Sequence, residues 1–156
     1  MIEGVHLRQK TSSHSADLGT FYGGTIVKLL GQEAGDPFPW YRVGMGGLEG
    51  YMAGNYVGDA AEMGGMRLQD LYLLPVAETL KKTSLRQNTN LLAEKTADLP
   101  LGERMHILGE RGDYWYAAVP EGEPGPFMDV NSQYGFIHKN DVRIAGTCLQ
   151  LDWMQK

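Results

Sequence analysis

Leu7–Gly31 reads LRQKTSSHSADLGTFYGGTIVKLLG, and Leu85–Gly109 reads LRQNTNLLAEKTADLPLGERMHILG. Laid over one another at a constant offset of 78 and without a gap, they share Leu7/Leu85, Arg8/Arg86, Gln9/Gln87, Thr11/Thr89, Gly24/Gly102, Leu30/Leu108 and Gly31/Gly109. Apolar character is kept at Phe21/Leu99, Val27/Met105 and Leu29/Ile107. The match resumes downstream, with Trp40-Tyr41-Arg42-Val43 beside Trp115-Tyr116-Ala117-Ala118-Val119 and Gly50-Tyr51-Met52-Ala53 beside Gly135-Phe136-Ile137-His138. Blocks recurring in one order are the mark of an internal structural repeat, so the fold has to be read once per copy. One extra residue in the second copy leaves both Trp115 and Tyr114 as counterparts of Trp40. The segment Gly44–Glu49 becomes the longer Pro120–Tyr134, as expected where a loop takes up an insertion.

Each copy reads as short strands separated by turns. Val5-His6-Leu7 alternates, Ile26–Leu30 is apolar and ends on Gly31, and Trp40–Val43 follows a Pro37-Phe38-Pro39 turn. A period of two puts Tyr41 and Val43 on the core face and Trp40 with Arg42 on the other. The 21 glycines, scattered without a period, suit many strands joined by tight turns. Helical periodicity is missing apart from a short turn at Leu91–Lys95. Between the copies Met66, Leu68, Tyr72, Leu74 and Val76 alternate around Asp70, and Leu149, Leu151 and Trp153 alternate after the second copy, so each copy is expected to carry an extra strand. The connecting stretch is too apolar for a flexible linker, which predicts two units packed together.

The order Leu-Arg, a variable loop, a Gly turn into an apolar strand ending in Gly, Trp-Tyr-x-Val, then Gly-Tyr or Gly-Phe into a closing strand resembles the bacterial Src-homology-3-like (SH3-like) family. The resemblance covers roughly Gly4–Gly58 and Thr83–Ala145. The loop after the first strand departs from it: Leu7-Arg8-Gln9-Lys10-Thr11 and Leu85-Arg86-Gln87-Asn88-Thr89 stand where the family commonly has Asn-Val-Arg-Ser-Gly-Pro. What the resemblance implies is an all-β chain of two tandem SH3-like barrels. The first would span 1–60 and the second 83–156 with a C-terminal extension, joined by a connecting segment at 61–82. Such barrels usually serve as targeting modules on cell-wall hydrolases and other envelope proteins.

Composition narrows the function further. A net charge of −5 and the absence of any basic run argue against nucleic acid, whose phosphates are held by clustered Lys and Arg. Cys148 stands alone, which rules out an internal disulfide and a multi-cysteine zinc cage. No leader-like or membrane-spanning segment is expected in the chain as given. His6, His14, His106 and His138 lack metal-ligand spacing, and Ser12, Ser13 and Ser15 beside His14 are sequence neighbours rather than a triad. Gly44-Met45-Gly46-Gly47 lacks the Lys-Ser/Thr of a phosphate loop. Neither a cofactor nor catalysis is expected.

The aromatics carry the functional reading. Trp40, Tyr22 and Tyr51 in the first copy, and Trp115, Tyr114 and Tyr134 in the second, fall at strand ends where a groove would open. Core packing is the alternative for each of them. With Asp36 beside Trp40, such a groove suits an extended peptide bearing amine groups. The expected ligand is the peptide part of peptidoglycan, with a linked or partner hydrolase brought to the wall and avidity from paired sites. The competing reading is a protein-interaction module for a peptide or another domain of its parent protein.

Overall fold

The computed structural model describes residues 4–35, 37–57, 74–125 and 130–147. The strands are Gly4–Arg8 (β1), Asp17–Tyr22 (β2), Lys28–Glu33 (β3), Trp40–Met45 (β4), Leu48–Ala53 (β5), Pro75–Thr79 (β6), Thr83–Arg86 (β7), Lys95–Leu99 (β8), Arg104–Arg111 (β9), Tyr114–Val119 (β10), Gln133–His138 (β11) and Val142–Thr147 (β12). All belong to one 12-stranded sheet that runs β3-β4-β5-β1-β2-β9-β10-β11-β7-β8, with β6 joined to β9 and β12 to β6. Among the described residues the only helical pieces are 3-10 turns at Gly54–Tyr56 and Lys139–Asp141. The chain is all-β, and its sheet curls as an SH3-like barrel does. The first apolar strand begins at Lys28 rather than Ile26, and Ile26 and Val27 lead into it half-buried. The helical turn expected at Leu91–Lys95 is a reverse turn, closed by the Ala93 amide on the Asn90 carbonyl, that feeds β8. Met66, Leu68, Tyr72, Leu149, Leu151 and Trp153 lie outside the described residues.

Strand registers recur between the halves, irregularities included. Leu7 faces Gly19 and Arg8 faces Asp17, with a bulge between; Leu85 faces Ala97 and Arg86 faces Lys95, with the same bulge. A second bulge isolates Leu30 in β3 and Leu108 in β9. The arginines repeat as well: Arg8 donates to the Ser15 carbonyl and Arg86 to the Ala93 carbonyl, 3.2 and 2.9 Å. Across the β4–β5 hairpin Trp40 faces Ala53 and Arg42 faces Tyr51; across β10–β11 Tyr114 faces His138 and Tyr116 faces Phe136. Tyr114 is therefore the positional counterpart of Trp40, Trp115 of Tyr41, and Tyr116 of Arg42.

The halves differ in how their cores are closed. In the C-terminal half Leu85, Leu99, Met105, Ile107, Ala117, Val119 and Ile137 are covered from within by Ala77 of β6 and Val142 of β12. In the N-terminal half Leu7, Phe21, Val43, Met45 and Met52 are covered by Leu108, Tyr116, Ala118 and Phe136 of the other half. Strands β9–β11 are thus buried on both faces. The long loop after β10 is pinned near its middle, where the buried His106 Nε2 sits 2.8 Å from the Gly125 carbonyl oxygen.

Strand β2 joins β9 through Thr20 opposite Glu110 and Phe21 opposite Gly109. A Cβ on Gly109 would lie 2.3 Å from the Thr20 carbonyl oxygen and 2.6 Å from Phe21 Cδ1, so the junction needs the missing side chain. Gly109→Ala should cost about 1–3 kcal/mol, the usual range for overpacking a filled site. Chemical denaturation that shows wild-type stability in this variant would refute the reading of the junction.

Candidate functional site

The outward face of the N-terminal barrel carries Trp40 and Arg42 on β4, Tyr51 and Glu49 on β5, and Glu33 on β3, brought side by side by the pairings Glu33/Trp40, Arg42/Tyr51 and Gly44/Glu49. The Tyr51 hydroxyl donates to Glu33 Oε1 at 3.3 Å, and Arg42 Nη2 approaches Glu49 Oε1 to 3.6 Å with both side chains half-exposed. Trp40 is half-buried. Phe38 and Tyr56, 38 and 65% exposed, flank the hydrogen bond from the Gly54 amide to the Pro39 carbonyl at the same end of the sheet. Further along, Arg8 lies opposite Tyr51, and His6 Nδ1 meets Asp17 Oδ2 at 2.7 Å. The face offers flat rings bordered by both signs of charge, able to stack on a chain and to pair with an amine and a carboxylate at once.

The matching face of the C-terminal barrel is occupied. Tyr116 stands where Arg42 does, Phe136 where Tyr51 does and Tyr134 where Glu49 does, and all three pack against the N-terminal barrel. The Tyr116 hydroxyl donates to the Met45 carbonyl oxygen, and its ring meets Phe21 edge-on at 5.8 Å and Phe136 at 4.8 Å. Gly46, at φ +62°, turns the β4–β5 hairpin directly over Tyr134, where a Cβ would lie 2.5 Å from the tyrosine Cβ. Arg111 donates from Nε to the Leu18 carbonyl at 2.8 Å with its guanidinium 4.7 Å from the Phe136 ring centre, and burial lowers its pKa.

Among the residues singled out from sequence, Trp40 and Tyr51 therefore share one accessible face. Tyr22 and Trp115 face one another across the junction at 6.5 Å. Lys139 lies 4.4 Å over the Trp115 ring and 2.7 Å from Glu110. Tyr134 stacks on Tyr116 at 6.3 Å, and Tyr114 packs edge-on to His138 at 5.0 Å. Asp36 lies outside the described residues. Sequence reasoning passed over Glu33, Arg42, Glu49, Phe38 and Tyr56. Glu33 and Arg42 are the cross-strand partners of Trp40 and Tyr51, and Glu49 lies two residues before Tyr51 on the same strand face, so strand pairing and alternation would have pointed to these three. Among the described residues no three of His, Cys, Asp and Glu gather as a metal site would require, and no helix is long and apolar enough to cross a membrane.

Comparison with known families matches residues 3–58 to the bacterial SH3 domain. This segment is similar to that family. It holds the whole face just described, from Glu33 to Tyr56, and the bacterial SH3 domain is a binding-type domain. Comparison with curated proteins gives no match to the chain.

Burial of the junction leaves a signature in the tyrosines. Burial, helped by Glu110, pushes Tyr22 from 10.0 up to about 12. Tyr116 is pushed up as well, by burial and then by Tyr134. A raised folded-state pKa means that the fold favours the neutral phenol, so its contribution is complete below pH 10 and lost as pH climbs from 10 toward about 12. Alkaline titration followed by phenolate absorbance should show these rings ionising above the ordinary tyrosine pKa of 10.0. Tyr22→Phe should flatten the loss of stability above pH 10; an unchanged profile would contradict the burial.

Proposed function

We propose that the chain is a non-catalytic binding module that recognises the peptide portion of bacterial cell-wall peptidoglycan through the Trp40/Tyr51 face, and so tethers a linked or partner hydrolase. In this reading 1–60 is the ligand-bearing SH3 barrel, 61–82 connects, and 83–156 is a second, diverged copy whose equivalent face holds the first barrel in place. The observation that carries it is the contrast at matched registers: Arg42, Glu49 and Tyr51 border solvent, while Tyr116, Tyr134 and Phe136 are packed against the other barrel. A face that keeps charges beside rings on one copy alone supports one binding site instead of two, and removes the avidity that paired sites would supply. A wall peptide bears free amines and carboxylates on an extended backbone, which complements Glu33 and Glu49 on one side and Arg42 on the other. The work of the protein in this reading is at the cell envelope.

Sedimentation with insoluble peptidoglycan tests it. Wild type should co-sediment, and Trp40→Ala should weaken binding about tenfold or more, as for a central aromatic anchor. Tyr114→Ala, at the matched register of the other barrel, should leave it unchanged. Wild-type protein that stays in the supernatant would remove the wall reading and favour a protein ligand for the same face.

A further inference from the structure

The turn that joins β7 to β8 repeats, at the offset of 78, the backbone of the turn that joins β1 to β2. The Gln87 amide donates to the Glu94 carbonyl as Gln9 does to Ala16, and the Ala93 amide to the Asn90 carbonyl as Ser15 does to Ser12. The Leu92 amide donates to the Asn90 side chain at 2.8 Å, as His14 does to Ser12 at 3.1 Å. The tips themselves differ: one copy has Ser13-His14, both exposed, where the other has Leu91-Leu92. Leu91 is 70% exposed and Leu92 96%. A polar pair makes the same turn in the first copy, so the fold has no need of leucine at either position. Two adjacent apolar side chains left in water mark a contact surface.

Cations stand behind this tip. A shallow hollow of about 370 Å³ on the β7–β8 hairpin is lined by Lys81, Lys82, Arg86 and Lys95 against Asp98 and Asp141. Lys81 pairs with Asp141 at 3.1 Å, while Lys95 reaches Asp98 only at 4.0 Å. Asp98 also accepts from the Ser84 hydroxyl at 2.9 Å. Lys82 is exposed and pairs with no described carboxylate. Arg86 donates at 2.9 Å to the carbonyl of Ala93, the residue after Leu92, which sets its guanidinium directly behind the leucines. With Glu94 of the turn included, cations outnumber carboxylates four to three here, in a chain whose net charge is −5.

We propose that the Gln87–Glu94 turn is a docking tip for an anionic lipid surface. Leu91 and Leu92 enter the acyl boundary, while Arg86, Lys95 and Lys82 meet the headgroup phosphates on long stems that span the change from apolar to wet. Interfacial binding draws on buried apolar area and on attraction to anionic lipids together. The hairpin carries both, apolar outermost and cations behind, which is the order in which a bilayer presents its acyl boundary and its phosphates. A soluble polyanion would use the cations and leave the leucines in water. A protein cleft that took the leucines would give the cations nothing. A second copy docked tip to tip would set like cations side by side. The inference does not rest on wall binding, because it concerns the β7–β8 hairpin and not the Trp40/Tyr51 face.

The test uses the full chain and two sets of vesicles, phosphatidylcholine alone and phosphatidylcholine mixed equally with phosphatidylglycerol. Wild type should co-sediment with the mixed vesicles, less so as salt is raised, and far more weakly with phosphatidylcholine alone. Leu91→Ser combined with Leu92→His restores the tip of the first copy; it should melt as wild type does yet bind mixed vesicles about tenfold or more weakly, the scale expected when apolar burial of a leucine is lost. Lys82→Glu should weaken binding about fivefold or more, roughly the worth of one cation near an anionic surface. Leu92→Trp keeps the tip apolar and reports insertion directly: its added emission should shift to the blue with mixed vesicles and stay in place with phosphatidylcholine. No binding by wild type at millimolar lipid, equal binding to both vesicle types, or vesicle binding indifferent to the leucine changes would overturn the proposal. Inorganic polyphosphate bound equally by wild type and the leucine variant, with no blue shift on vesicles, would give the hollow to a soluble polyanion instead. Concentration-dependent dimerisation that the leucine changes abolish would give the tip to a second copy.

Discussion

The N-terminal barrel has an apolar mouth that its own described strands do not close. Leu7, Phe21, Val43 and Met45 are 0–2% exposed because the outer face of β9–β11 sits on them. Everything else at the junction follows from that contact. β9 must come close enough to ladder with β2, which fixes glycine at position 109, and the Met45–Gly46 hairpin must lie flat beneath Tyr134 and Tyr116. Apolar burial supplies the drive here. The Tyr116 hydroxyl and Arg111 Nε satisfy carbonyls of Met45 and Leu18 that the contact removes from water.

Much of this was legible in the sequence. The offset of 78 that aligns Leu7-Arg8-Gln9 with Leu85-Arg86-Gln87 is also the offset of the first-strand bulges and of the arginine hydrogen bonds. Side-chain character and backbone irregularity repeat together because a bulge needs particular residues around it. What sequence left open was the pairing of Tyr114 or Trp115 with Trp40, since two aromatic neighbours satisfy the same pattern. Register decides it: Gly50 and Gly135 mark one position in the two hairpins, and counting back along the ladder reaches Trp40 in one and Tyr114 in the other.

The accessible face was harder to see, since it depends on which copy covers which. The signal was present but inverted. β4 keeps Arg42 between Tyr41 and Val43, the alternation of a strand with one wet face. β10 runs Tyr114-Trp115-Tyr116-Ala117-Ala118-Val119 with no charge, the pattern of a strand buried on both sides. Aromatic residues in the second copy therefore marked an internal interface, although taken one by one they resemble the rings of a binding groove. Phe38 and Tyr56 could not be assembled from local pattern, because β4 and β5 lie between them and neither residue sits in a strand whose alternation would assign it a face.

The dependence of one barrel on the other also gives the chain a direction in time. The strands of the N-terminal barrel end at Ala53, while Phe136, part of its lid, lies 83 residues further on. At a synthesis rate of about 5–20 residues per second, the first barrel waits roughly 4–17 s for its cover. The C-terminal barrel meets no such delay, since β6 and β12 close its core from its own sequence. During synthesis the uncovered mouth is an apolar surface waiting for one partner, so a nascent chain stalled between Ala53 and Phe136 would present the ribosome's surroundings with a client for chaperones.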